Sequence, residues 1–345
     1  MEVDTEPSEP HRVEELWFED GNIVLQAGNS QFRVYRGILA ARSPVFKDML
    51  SFPQPPESEL VEGCPLVRFP DAENEVTDFL KAIFTPDYFP AFPSRTEFAI
   101  IAGCLRLSHK YEVDYLRRHA LIHLSSRYCT TLSEYDSRVL ASPNDRHPDH
   151  HSARAVLSWP LPPTSTSFGV FTIQLAREVE ALWILPQAFY DLSTCFLDGK
   201  GAEIFHGTVY NGTPTSLCFE DQTAFLHGHS IHTKAVHSIM RFLSYPLDVA
   251  GCGSPLHCSR ARLQAIEDSR AMVCDCSDVP LAIWDGDDWE DYLGNVCPAC
   301  WAVLESTHAE ARHNLWDNLP KTYGLPAWEE LEKMKVTAIG NSFHC

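Results

Sequence analysis

The side chains with the strongest chemistry in this chain are its cysteines, and half of them lie close together in the sequence. Six of the twelve cysteines fall within residues 252–300. Cys297 and Cys300 form a C-x-x-C pair there, and the short turn between them lets both sulfurs reach one tetrahedral zinc ion. The segment therefore predicts one structural zinc site that includes this pair.

A tetrahedral site needs two more ligands, and the sequence offers two further cysteine pairs. Cys252 with Cys258 is one pair; Cys274 with Cys276 is the other, although C-x-C is a tighter fit to one ion. Two histidines are spare ligands, His257 and His308. The alternative to a metal site is a set of buried, unreactive thiols. A redox C-x-x-C would need a β-α-β context, which the surrounding sequence lacks.

Two other polar groups have the composition of a metal site but the wrong spacing. Histidines cluster at His227, His229, His232 and His237. His232 and His237 are five residues apart, so they do not share a helix face, and we expect this cluster at a solvated surface. The acidic run 285–291 resembles a calcium loop, but Glu290 stands where that loop requires glycine. We expect a solvated loop there.

The charge balance disfavours nucleic-acid binding, the short apolar runs disfavour membrane insertion, and the absence of known motifs disfavours catalysis. The chain has 345 residues, with 27 Lys and Arg against 47 Asp and Glu, a net charge of −20 that opposes phosphate binding. The apolar run 98–105 is far shorter than the roughly 20 residues that span a bilayer. The sequence also lacks the common hydrolase, metalloprotease and nucleotide-binding motifs. We expect a non-enzymatic intracellular protein of the cytoplasm or nucleus, where thiols stay reduced.

The elements that would position these residues begin with a hairpin. Two β-rich runs, 23–25 and 32–35, flank a Gly28-Asn29 turn signal. Ser43 is a natural helix N-cap, followed by proline at the first helical position. A strand at 66–69 comes next, and apolar spacing then predicts helices across 72–84, 98–105 and 111–124.

The residues within this series resemble the BTB/POZ domain family. The chain reads Phe32-x-x-Tyr35-Arg36-x-Ile-Leu-Ala-Ala-x-Ser-x-x-Phe where the family pattern is roughly F-x-x-H-[KR]-x-[VI]-L-A-A-x-S-x-x-F. A later Phe-Pro-Asp at 69–71 and the helix around Lys110 extend the likeness. The resemblance implies an α+β fold over residues 15–135, with a small mixed sheet flanked by helices.

The resemblance also implies a function in protein–protein interaction. Members of the family form homodimers or recruit partners such as cullin ubiquitin ligases or transcriptional corepressors. Many dimeric members carry a buried aspartate that faces a basic residue across the interface. The corresponding residues here are Asn22, with Asp20 two residues upstream, Tyr35 in place of the signature histidine, and the basic Arg36. The expected interaction site is thus Asp20, Asn22, Tyr35 and Arg36, with a weakened charge pair.

The remaining chain divides by composition. Residues 1–14 are acidic and predict a disordered tail, whereas 136–167 carry many Pro, Ser and His residues and predict a linker or insertion. Residues 168–345 predict a helical C-terminal domain that contains the Cys-rich segment. Apolar spacing there predicts one helical face from 168 to 186, a start at 188, and helices over 233–243, 301–319 and 328–335.

Parts of this second half resemble proteins of mushroom-forming (basidiomycete) fungi that carry a BTB domain. The likeness lies in Leu-Ala-Arg-Glu at 175–178, in 181–190, and in the Trp-x-x-Leu-Pro-x-x-Tyr-Gly-Leu-Pro-x-Trp segment from Trp316. It implies Cys252 and Cys258 as the second zinc pair. We predict an interaction module that binds itself or another protein. The alternatives are a substrate adaptor for a cullin-type ubiquitin ligase and a zinc-containing transcriptional regulator.

Overall fold

A five-stranded mixed sheet forms the N-terminal part of the computed structural model. The model describes residues 10–52, 59–140, 159, 165–194, 201–246, 248–270, 280–284 and 286–340. The strands are β1 His11–Trp17, β2 Ile23–Ala27, β3 Ser30–Val34, β4 Leu60–Val61 and β5 Cys64–Phe69. Their order in the sheet is β1-β3-β2-β5-β4. The expected hairpin is β2 with β3, which pair antiparallel around Gly28, whose φ of +53° suits a glycine turn.

Strand β1 begins earlier than the sequence indicated. Residues 11–14 were expected in a disordered tail, but they form the first half of this strand. The backbone N–H of His11 donates to the carbonyl of Asn29 at 2.8 Å, and the strand runs parallel to β3 at the sheet edge. Most side chains of the strand face solvent, so no apolar pattern marks it. Backbone pairing, which composition does not reveal, holds it in place.

Helices surround the sheet. They are α1 Arg36–Arg42, α2 Pro44–Ser51, α3 Glu73–Phe84, α4 Phe98–Lys110, α5 Asp114–Ser125 and α6 Leu132–Leu140. The predicted cap is confirmed, because Ser43 Oγ accepts a hydrogen bond from the Phe46 amide at 2.9 Å. The Phe46 ring stacks on Tyr111 with centroids 4.6 Å apart, which joins α2 to the end of α4. The small mixed sheet flanked by helices is confirmed.

The second half is helical, as predicted. Its helices are α7 Thr166–Glu178, α8 Leu185–Thr194, α9 Gly201–His206, α10 Phe219–Met240, α11 Pro255–Asp268, α12 Gly286–Leu293, α13 Pro298–Thr322 and α14 Trp328–Ile339. A short hairpin of β6 Thr208–Tyr210 and β7 Thr213–Thr215 follows α9. Among the described residues, no helix combines the length and the apolar character needed to cross a bilayer.

Two helices differ most from the sequence prediction. The helical face expected from 168 to 186 is interrupted, because α7 ends at Glu178 and Glu180 adopts a φ of +60°. Apolar spacing continues through the break, so periodicity alone does not show it. Helix α10 begins at Phe219 rather than at residue 233. Its first turns carry polar and buried positions on several sides, which weakens the amphipathic pattern.

The two halves share one hydrophobic core, which runs from Leu16 to Ile339. Trp183 Nε1 donates to Ser125 Oγ at 2.9 Å, and Trp316 Nε1 donates to the Thr130 carbonyl at 3.4 Å. Part of the expected linker 136–167 lies within the described residues. Residues 136–140 complete α6. Trp159 is buried, and its Nε1 donates to the His123 carbonyl at 3.0 Å. Residues 141–158 and 160–164 lie outside the described residues.

Candidate metal centre and interaction surface

Four cysteines converge where the start of α11 meets the start of α13. Cys258 lies in the first turn of α11, and Cys252 lies in the segment just before that helix. Cys297 occupies the N-cap position of α13, and Cys300 is in its first turn. The four sulfur atoms all lie within 4.8 Å of one another. The structure thus brings together the two pairs that the sequence favoured.

The sulfur spacing fits a single tetrahedral ion. The Cys297 and Cys300 sulfurs lie 3.7 and 3.5 Å from the Cys252 sulfur. A zinc–sulfur bond of about 2.3 Å places tetrahedral ligands about 3.8 Å apart. Both distances are within about 0.3 Å of that value, on its shorter side, and are far longer than a disulfide bond of about 2.05 Å. These four thiols could therefore bind a metal ion.

Backbone N–H groups already stabilise negative charge at this cluster. The Cys297 amide donates to the Cys258 sulfur at 3.3 Å. Hydrogen bonds from the backbone of Cys300, and next from that of Gly253, lower the pKa of the Cys297 thiol to about 6. Burial instead raises the pKa of the Cys300 thiol. Without a metal, the arrangement thus favours one thiolate over several adjacent ones.

None of the other ligand candidates is seen in the four-cysteine cluster. Cys274 and Cys276, the competing pair, lie outside the described residues. His257 Nε2 is 3.1 Å from the Asn295 carbonyl rather than in the cluster. His308 is buried in the core, with its Nε2 3.1 Å from the Ile283 carbonyl, and burial lowers its pKa to about 4. Neither histidine is one of the four clustered ligands.

Two expectations of solvated residues need correction. His232 is buried and lies 3.1 Å from the Tyr323 hydroxyl, because α10 packs closely against the end of α13. His227 and His237 are exposed, as expected, whereas His229 is half-buried and its Nδ1 is shielded from solvent. The acidic run 285–291 is largely helical rather than a loop, since α12 begins at Gly286, where early carboxylates favour a helix N-terminus. Asp285 lies outside the described residues.

The four predicted interaction residues lie together where α1 begins. The Tyr35 hydroxyl donates to Asp20 at 2.5 Å, and this hydrogen bond raises the pKa of Tyr35. Asn22 Oδ1 accepts from the Arg36 amide at 2.8 Å. The Arg36 guanidinium donates to the Leu50 carbonyl at the end of α2. The expected basic partner therefore already has a contact within its own chain.

A surface that the sequence did not indicate lies beside these residues. Ile38 on α1 is 40% exposed, and a methyl group added at Gly37 would contact nothing within 4 Å. A groove runs from α1 and α2 to the α4–α5 turn, where the Arg42 guanidinium lies 4.9 Å from the centre of the Tyr115 ring. The residues of this surface are far apart in the sequence, so no local sequence pattern predicts it.

The comparison with family models identifies the N-terminal domain. Residues 18–127 match the model of the BTB/POZ domain. The matched segment contains β2 to β5 and α1 to α5. No curated protein and no solved structure matches the chain. The N-terminal domain is thus a BTB/POZ domain, a non-catalytic type of domain that mediates protein–protein interaction.

Proposed function

Because residues 18–127 form a BTB/POZ domain, we propose that this chain is a protein–protein interaction module that self-associates through the surface of α1. The observation that carries the proposal is the exposure of this surface within a domain of an interaction family. The helical half packs against α4 and α5, where Arg117 donates to the Val179 carbonyl at 2.9 Å. That packing leaves the α1 surface accessible.

The α1 surface has the composition that a symmetric contact needs. Ile38 is an exposed apolar residue, and polar groups border it at Asn22 and Arg36. A twofold dimer brings the same surface of each chain together, so an apolar centre with a polar rim is self-complementary. With Asn22 in place of the family's aspartate, we expect apolar contact rather than a charge pair to dominate.

Light scattering of the full chain after size exclusion tests this proposal. We expect a dimer that Ile38→Asp converts to monomer, because the substitution buries a charge in the contact. Val336→Asp is the matched control, since Val336 is 38% exposed but lies on α14. A monomeric wild-type chain would contradict self-association and favour recruitment of a different protein, to be identified by pull-down from native cells.

The adaptor and regulator alternatives have weaker support. The Leu60-Val61-Glu62 tripeptide vaguely resembles a cullin-contact motif, and Leu60 is 60% exposed. However, the Glu62 carboxylate is bound by Arg12 and by Arg33. Co-purification of a cullin would favour the adaptor. Salt-dependent DNA binding would be required of a regulator, and the net charge of −20 opposes it.

We also propose that the four clustered cysteines hold one structural zinc ion. The tetrahedral sulfur spacing supports this, and zinc would join the segment before α11 to the start of α13. Purified protein should then contain about one zinc per chain. Cys297→Ser with Cys300→Ser should lower both the zinc content and the melting temperature. Cys218→Ser, at an exposed thiol outside the cluster, is the control.

A metal-free wild-type protein whose melting curve matches that of the double variant would refute the zinc proposal. The likeness to BTB proteins of mushroom-forming fungi is a further proposal, and it rests on the segments around residues 175–190 and 316–331 and on the spacing of Cys252 and Cys258. It agrees with the zinc proposal because that likeness includes the two cysteine pairs.

A further inference from the structure

A buried arginine lies beside the four cysteines. Arg262 follows Cys258 by four residues on α11, so the two side chains share one face of that helix. Arg262 is only 5% exposed. Its Nε donates to the Leu243 carbonyl at 2.7 Å. Its Nη2 has no hydrogen-bond partner within the part of the chain that the structure describes.

Such an arginine requires a compensating charge. A guanidinium keeps its proton under all ordinary conditions, and burial without an anionic partner is costly. Burial lowers the pKa of Arg262, while Cys300 and then Cys258 act in the opposite direction. The sulfur cluster is therefore the group that favours the charge of Arg262.

With a divalent metal ion bound, the four-cysteine cluster would still carry a negative charge that a positive side chain could offset. Four thiolates around one divalent ion leave a net charge of −2 in a partly buried position. The backbone N–H groups of Cys297, Cys300 and Gly253 offset part of it. Without a metal the thiols are not all ionised, because adjacent thiolates repel. A positive side chain beside the cluster is consequently most useful in the metal-loaded state.

We infer that Arg262 is the charge-compensating residue of the four-cysteine centre and that it stabilises the state in which all four thiolates bind the metal. The inference rests on the zinc centre proposed above. It assigns Arg262 a positioning and electrostatic role rather than that of a ligand. Metal affinity, and not only protein stability, should then depend on this side chain.

Zinc affinity of the full chain, measured by competition with a chromophoric chelator, tests the inference. We expect Arg262→Met to weaken zinc binding by about 10- to 100-fold, the usual effect of removing a group that supports metal ligands. Arg262→Lys keeps a positive charge and should recover most of the affinity. Arg260→Met is the control, because Arg260 is exposed on the same helix.

The outcomes separate this inference from the zinc proposal. Wild-type protein that takes up no zinc would refute the centre itself. Wild-type protein that binds zinc while Arg262→Met binds it equally well would overturn only the role of Arg262. Cobalt substitution supplies an independent readout, since the sulfur-to-cobalt charge-transfer intensity reports the number of bound thiolates. We expect four in the wild type, and fewer in Arg262→Met at the same cobalt concentration.

Discussion

Three buried histidines make the stability of this protein sensitive to mild acid. His123 and His232 are fully buried, and His308 is nearly so. Burial is the largest cause that lowers the pKa of each to about 4, from the ordinary value of about 6.5. Between these two values the unfolded chain binds protons that the folded chain does not. Stability is therefore present above about pH 6.5 and is lost as the pH falls toward 4.

The size of the loss follows from the two pKa values. Between pH 7 and pH 5, each histidine should lower the free energy of unfolding by about 2 kcal/mol, and the three together by about 5–6 kcal/mol. Asp191 acts in the opposite direction, because burial raises its pKa to about 6. Its side chain is 33% exposed, so screening limits that gain to about 1 kcal/mol. From these four groups alone, the expected net loss is thus about 4–5 kcal/mol.

Urea unfolding of the full chain at pH 7 and pH 5 measures this loss. His308→Gln keeps a donor for the Ile283 carbonyl but does not titrate, so its loss should be smaller than that of the wild type by about 2 kcal/mol. His237→Gln, at an exposed histidine on α10, should behave as the wild type does. Metal release in acid affects all three proteins, so the difference isolates the histidine. An equal loss in His308→Gln and wild type would refute the reasoning.

Two further stability predictions concern close packing at a glycine and the N-cap of helix α2. Gly228→Ala would place a methyl group inside the buried ring of Tyr323 and should lower the free energy of unfolding by about 1–3 kcal/mol, whereas Gly37→Ala, with open space, should raise it by up to about 1 kcal/mol. Equal effects at both glycines would contradict the packing. Ser43→Ala removes the cap of the Phe46 amide and should cost about 1–2 kcal/mol in urea unfolding, and an unchanged midpoint would contradict it.

The parts of the fold that sequence reasoning predicted are those encoded by local patterns. The β2–β3 hairpin has a turn signal between two β-rich runs, and Ser43 precedes proline at a helix start. The closeness of Cys297 and Cys300 was predictable for the same reason, because both lie at the first turn of one helix. In each case, a few adjacent residues determine the local geometry.

The features that sequence reasoning missed depend on distant partners. The first half of β1 is held by backbone pairing with β3. His232 is buried because Gly228 lets α10 approach Tyr323, a residue 91 positions away from that histidine. No sequence pattern indicates the role of Arg262, because it depends on how helix α11 packs beside the thiols. No local pattern encodes such contacts, so only the assembled core reveals them.

The long helix α13 connects the candidate metal centre to the segment that directly follows the BTB/POZ domain. Its 25 residues span about 37 Å, with Cys297 capping one end. In its second half Arg312 forms an ion pair with Asp136, and Trp316 donates to the Thr130 carbonyl. A metal bound at the first end would restrain the helix that holds this segment in place.

An isolated N-terminal fragment is therefore a poor substitute for the whole chain. A fragment ending near residue 135 would lose the three tryptophans that donate to the His123 carbonyl, the Ser125 hydroxyl and the Thr130 carbonyl. Buried groups that lose such partners without gaining water cost about 1–3 kcal/mol each, and apolar surface of α4 and α5 would also become exposed. Self-association of that fragment could occur through the newly exposed apolar surface as well as through α1. In the complete chain the first surface is covered, so association there would report α1.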